Sequence, residues 1–316
     1  MQVKILGSAA GGGFPQWNCA CGNCRALRAG TFQGKARTQT QAAISRDGKS
    51  WFLLGASPDL RAQIEATPEL HPREGLRQSP IAGVVLANAD LDHVLGLLLL
   101  RELQPLRVYA TSSVRRILRE DNSMFAMLQR APNQAKWIDF EVGAEFSPQN
   151  ASREDSGLRF RAWPLGTRYP AYVGAERQSQ LLGAEASVGF TIAPADEVAQ
   201  AAKSPSRPHL GYFPAVPQLS DELLTQLDRC AVLLFDGTFW SDDELIRVQG
   251  SGQTTGQMGH IPVEDVLGKL AGVRRPRKIF LHINNTNPML DQTSPQYRQV
   301  RAAGWEVAED GWQFNL

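Results

Sequence analysis

Three apolar runs of this 316-residue chain end on residues that ionise or bind metal, and this repeated ending constrains the fold more than any other feature. In VVLANADLDHVLGL (Val84–Leu97) the run gives way to Asn88, Asp90, Asp92 and His93 before apolar residues resume. In CAVLLFDGT (Cys230–Thr238) it gives way to Asp236, and in KIFLHINNTN (Lys278–Asn287) to His282. A short apolar run bounded by turn residues reads as a buried strand, and α/β sheets build their sites at the carboxyl ends of such strands. The three endings together therefore predict one shared site. A single Asp or His there is more often a turn former or a satisfied hydrogen bonder.

The rest of the chain fits a layered α/β protein, with short apolar runs alternating with helix patterns. Strands are predicted at Val3–Leu6, Ala42–Ser45, Trp51–Leu54, Gly83–Ala87, Val108–Ala110, Phe160–Trp163, Gly189–Ile192, Ala231–Phe235 and Lys278–His282. Helices are predicted at Pro58–Ala66, His93–Leu103, Ser112–Gln129, Asp221–Leu227 and Val263–Leu270, with Ser112 and Asp221 as N-caps and Pro262 in a first turn. Asp196–Gln218, rich in Pro, Ala and Ser, reads as a surface excursion within a single domain spanning residues 1–316.

Charge narrows the partners. With 33 Lys and Arg against 32 Asp and Glu, the net charge is +1, which gives no footprint for nucleic acid or an anionic membrane. The basic cluster Arg274–Lys278 reads as a solvated turn. The opening MQVKILG enters a strand without a signal-peptide apolar core, and Val94–Leu100 is far shorter than the ~20 residues that span a bilayer. A cytoplasmic protein with no membrane insertion is expected.

Two constellations carry chemistry. Asn88, Asp90 and Asp92 alternate, so in an extended segment they project to one side. An EF-hand fails here, because His93 and Leu99 stand where Gly and Glu are required. Asp92 as a helix cap remains open, but a cap accounts for one polar residue of the four. His260, in GQMGHIP (Gly256–Pro262), is a ligand, a proton donor, a substrate contact or a plain loop histidine. The second constellation is NCACGNC (Asn18–Cys24), whose Cys19, Cys21 and Cys24 have the spacing to wrap one tetrahedral Zn(II), with a fourth ligand from elsewhere. Such a site is structural and pins the loop GGGFP (Gly11–Pro15); Cys230 reads as core. The Gly-rich stretch is no nucleotide loop, since Gln16 breaks G-x-G-x-x-G and no GK[ST] follows.

Taken together, these residues resemble the metallo-β-lactamase superfamily, whose αββα sandwich takes metal ligands from H-x-H-x-D-H and from later strand ends. The pieces LGSAAGGGFPQWNCAC (Leu6–Cys21), NADLDH (Asn88–His93), GQMGHIP and HINNTNP (His282–Pro288) resemble, over essentially the whole chain, the coenzyme PQQ synthesis protein B family. The superfamily's first two histidines are replaced by Asn88 and Asp90, and WPLGTR (Trp163–Arg168) lacks the expected third. One metal position thus loses its imidazoles, and a dinuclear hydrolytic site is not expected.

The resemblance implies an iron- and O2-dependent hydroxylase in pyrroloquinoline quinone (PQQ) formation, acting on the tyrosine-derived ring of a Glu–Tyr cross-linked, peptide-derived precursor. Asp92, His93 and His282 are then Fe(II) ligands, Asp236 a fourth ligand or a close neighbour, and Asp90 and His260 carry protons or contact substrate. Asn88 is a hydrogen-bonding neighbour of the ligands. Related phosphodiesterases complete the Cys-loop zinc with a histidine where this chain has Asn285, which becomes the fourth-position candidate. The same ligands also bind zinc, copper or manganese. A zinc metallohydrolase, and a carrier of PQQ or its precursor that aids transport to the periplasm, are the alternative functions. A homodimer is the base-rate expectation for assembly.

Overall fold

The computed structural model describes residues 1–132, 134–150, 152–195 and 209–316. Among them, one sheet is built from β1 (Gln2–Gly7), β2 (Gln41–Ser45), β3 (Trp51–Leu54), β4 (Ile81–Val85), β5 (Leu106–Ala110) and β6 (Ala135–Asp139). A second is built from β7 (Glu145–Phe146), β8 (Leu158–Gly166), β9 (Ser187–Pro194), β10 (His209–Phe213), β11 (Cys230–Asp236), β12 (Arg277–Leu281) and β13 (Trp305–Val307). The last strand, β14 (Gln313–Asn315), returns to the first sheet. The strand orders are β14-β1-β2-β3-β4-β5-β6 and β13-β12-β11-β10-β9-β8-β7. Strands β3 to β6 and β10 to β13 run parallel, so β4, β11 and β12 offer their carboxyl ends to a common edge.

The period-two alternation of each strand explains why both of its faces are apolar. Phe52 and Leu54 of β3 face Leu234 of β11 and Ile279 and Leu281 of β12 in the core between the sheets. Trp51 and Leu53 point the other way, onto Leu60, Val94, Val114, Ile117 and Leu118 of the helices covering the first sheet. Leu233, Phe235 and Phe280 likewise meet Leu223, Leu227, Val263, Val266 and Val300 outside the second. Three cores in four layers make an αββα sandwich, the expected fold.

The helices depart from expectation in instructive ways. In place of one helix over His93–Leu103, an α-helix at Leu91–Val94 passes into a 3-10 helix at Leu95–Leu100. Gly96 N–H donates to Ala56 O at 2.8 Å, and a Cβ there would lie 2.2 Å from Ser57 O, so backbone packing takes the bond an α-helix needs. The Ser112–Gln129 prediction divides into Ser112–Arg119 and a 3-10 helix at Ser123–Gln129. Asn122 Nδ2 donates to Ile117 O at 2.6 Å and satisfies a terminal carbonyl. The caps are Thr111 and Ser220, one residue before those expected, and Pro262 occupies a cap position rather than a first turn. Of the expected excursion at Asp196–Gln218, residues 196–208 lie outside the described residues. His209–Phe213 is a buried strand of the second sheet rather than surface.

Candidate metal centre

The shared edge gathers the strand ends that the sequence singled out. Asp92 and His93 lie on the short helix after β4, Asp236 closes β11, and His282 follows β12. His282 adopts φ +58°, a left-handed conformation rare for a residue with a Cβ and characteristic of site residues held by their surroundings. Asp92 Oδ2 lies 3.2 Å from His282 Nε2 and 3.9 Å from His93 Nε2. Bonds of about 2.1 Å to one ion would put neighbouring donors ~3 Å apart, so two imidazoles and a carboxylate converge at the scale of a single cation. His93, His282 and His260 form a stack of imidazoles with centroids 5.2 and 5.3 Å apart.

The protonation states suit a ligand set. Burial opposes charge on Asp92, but His93 and His282 beside it hold the carboxyl well below its usual range. Burial keeps His93 neutral, its pKa pushed down to about 4. Its Nδ1 is buried without a hydrogen-bond partner, so nothing in the protein matrix fixes this ring's tautomer, whereas a cation at Nε2 would.

Asp236 is engaged differently. Its Oδ1 accepts from Thr238 N at 3.0 Å and Thr238 Oγ1 at 2.6 Å; its Oδ2 accepts from Val216 N at 2.8 Å and His260 Nδ1 at 2.7 Å. With its proton on Asp236, Thr238 Oγ1 accepts from His282 Nδ1 at 2.8 Å. His282 Nδ1 and His260 Nδ1 are thus both donors, which leaves each Nε2 for the cavity. Asp236, His260 and His282 form a second close trio, but the direct bond between His260 and Asp236 occupies donor atoms that an ion there would need. Burial works against charge on His260, and the Asp236 carboxylate more than offsets it, leaving the ring easier to protonate than usual. Thr238, absent from the sequence expectations, is the pivot of this arrangement; its only signal was its place in FDGT after a strand.

Asp90 sits at the N-cap position of the Leu91–Val94 helix without a side-chain capping bond, so the cap reading for Asp92 fails. Burial and the neighbouring Asp92 push the Asp90 carboxyl up to about 6. Asn88 is buried, and its Oδ1 accepts from Asp90 N at 3.1 Å, which shapes the turn carrying the carboxylates. A cavity of about 990 Å³ opens above these residues.

The cysteine loop forms a separate centre. Cys19, Cys21 and Cys24 converge, and the Asn285 side-chain amide lies 3.1, 3.6 and 3.4 Å from their sulfurs. An amide's oxygen and nitrogen are interchangeable in assignment, so Oδ1 turned inward supplies a fourth donor to three thiolates. Burial pushes the Cys21 thiol up to about 11, a cost that a cation among the sulfurs would relieve. Cys230 is buried in the strand packing, as expected.

Residues 50–283 match the model of the beta-lactamase superfamily domain. The chain is 41% identical over 322 residues to coenzyme PQQ synthesis protein B of Methylobacterium sp. (strain 4-46), covering all of both chains. It is 39% identical, again over both full lengths, to the protein of that name in Nitrosococcus oceani. The crystal structure of Zn(2+)-bound PqqB from Methylobacterium extorquens superposes over both full chains with TM-score 0.88 at 39% identity. A diphosphatase of the PhnP family, 17% identical with TM-score 0.65, covers all of this chain and 97% of its own and shares the fold.

Proposed function

Because this chain belongs to the coenzyme PQQ synthesis protein B family of the β-lactamase superfamily, we propose that it is an Fe(II)- and O2-dependent hydroxylase in PQQ biosynthesis. Its substrate is the tyrosine-derived ring of a Glu–Tyr cross-linked precursor. The observation that carries this reading is the convergence of Asp92 Oδ2, His93 Nε2 and His282 Nε2, two imidazoles and one carboxylate, where the chain puts Asn88 and Asp90 in place of further imidazoles. Two histidines and a carboxylate are the set that holds non-haem Fe(II) with open positions. When bound there, iron supplies O2 activation next to the substrate ring.

The protein's residues do the rest. Thr238 holds the His282 ring by Nδ1, and the Asp236 carboxylate holds both Thr238 and His260. His260 Nε2 faces the cavity and exchanges a proton with the phenol, while Asp90 receives one at the cavity wall. The Cys19, Cys21, Cys24 and Asn285 centre holds structural Zn(II) and fixes the loop that backs Asp92, since a Cβ on Gly11 would lie 3.3 Å from Asp92 Oδ2.

The test is anaerobic reconstitution with Fe(II), followed by the cross-linked diamino acid, O2 and excess ascorbate, whose two electrons reduce the second oxygen atom to water, with O2 uptake and product mass measured together. Wild type is expected to add oxygen to the ring and His93→Ala to lose at least roughly a hundredfold in rate, the scale of a lost ligand. Turnover without O2, or full activity in His93→Ala, refutes the reading. A two-metal hydrolase would draw on the Asp236, His260 and His282 trio and predicts turnover without O2.

A further inference from the structure

We propose that Arg168 is the carboxylate anchor of the large cavity, and that the ligand class is a phenolic amino-acid anion bound with its ring toward the Asp92, His93 and His282 end. The orientation of the ring rests on the hydroxylase reading; the anchor rests on the cavity alone. Among the described residues lining it, Arg168 is the one that carries a guanidinium or ammonium group, while Asp90 and Asp92 are the carboxylates. Two carboxylates beside a divalent ion come close to neutral, so the positive charge of Arg168 sets the sign of what the cavity prefers.

Arg168 is also positioned to use that charge. It lies on the exposed segment after β8, and its Nη1 donates to Gln257 O of the loop that leads to His260. Asp90 feels its charge across the cavity, but no ion pair among the described residues engages it, which leaves the other donors of its planar fork for a ligand. The tether restrains the side chain before binding, which lowers the ordering cost of a charge-assisted bidentate contact. The cavity walls suit a ring: Leu91, Phe239, Met258 and Tyr172 are among the residues that line it. Tyr172 donates its hydroxyl to Ala89 O at 2.5 Å, which fixes that ring in place.

The experiment compares N-acetyl-L-tyrosine with N-acetyl-L-tyrosinamide, which differ in one carboxylate, by calorimetric titration of the zinc-loaded protein. Wild type is expected to prefer the acid by roughly tenfold or more, the scale of a charge-assisted contact. In Arg168→Ala the acid should fall to the affinity of the amide while the amide is unchanged, and Arg168→Lys should recover part of the difference. Equal binding of the two by wild type, failure of both to bind, or parallel weakening of both in Arg168→Ala overturns the proposal; the last outcome is what a purely structural tether predicts. Zinc carries no redox chemistry with O2, so this titration reads binding separately from hydroxylation, and an absence of hydroxylation in the O2 assay leaves its result standing by itself.

Discussion

Thr238 Oγ1 sits between Asp236 Oδ1 at 2.6 Å, His282 Nδ1 at 2.8 Å and His260 Nδ1 at 3.1 Å, so one hydroxyl orients two imidazoles. Thr238→Val keeps the shape and removes the hydrogen bonds. It is expected to weaken metal at Asp92, His93 and His282 by roughly ten- to a hundredfold in a chelator competition, with the zinc of the cysteine loop unchanged. An unaltered active-site affinity would show that packing alone orients His282. This residue also marks where sequence reading stopped. Asp92, His93, Asp236 and His282 stood out because a polar group ending an apolar run is conspicuous, whereas a threonine after Asp-Gly looks like any turn. The capture of His260 by Asp236 joins residues 24 apart and the bond from His282 to Thr238 residues 44 apart, which no local pattern records.

At the scale of elements, strands were more legible than helices. Trp51–Leu54 forms as predicted, and the ends of the other predicted strands extend or shift by up to three residues, because apolar alternation over two cores is a strong signal. The edge strands β6, β7, β13 and β14, the strand β10 and the helices Gly22–Arg28 and Pro295–Ala302 carry too little periodicity to be predicted, being short and mixed in composition. The Glu244–Gln249 helix was missed too, and its first residue has a measurable consequence. Glu244 is 3% exposed; its Oε2 accepts from Trp240 N and its Oε1 from Thr286 Oγ1. Burial raises its carboxyl from an ordinary 4.5 to about 7. A carboxyl with a raised folded pKa stabilises the fold fully below its unfolded value and loses that contribution as pH rises through the folded one. Glu244→Gln should therefore gain on wild type between about pH 4.5 and 7, by up to about 3 kcal/mol. Urea unfolding of both proteins at about pH 5 and about pH 8 checks it; a difference that does not change with pH would refute buried ionisation at Glu244.

At the scale of the whole molecule, the cysteine loop joins residues 261 to 266 positions apart, from Cys19 and Cys24 to Asn285. An ion closing so long a loop acts on the stability of the entire sandwich. In a His93→Ala background, which lacks the other metal site, zinc chelation is expected to lower the thermal midpoint by about 5 °C, and adding Cys24→Ser to lower it similarly while removing the response to chelator. A His93→Ala, Cys24→Ser protein that still answers to chelator in its melting would refute zinc at this loop. The superfamily architecture and a site shared by the three strand ends were legible, but the sheet that each strand joins was not, because it depends on packing across the central core. That packing also fixes an order of events during synthesis. Asp92 belongs to the first sheet's connections, and His282 follows 190 residues later from the second. The growing chain holds no complete active-site ligand set until both sheets exist and have docked. With the ligands divided in this way, loading of the active-site metal is expected to follow docking of the sheets, so protein made without that metal should be folded and still able to take up its ion.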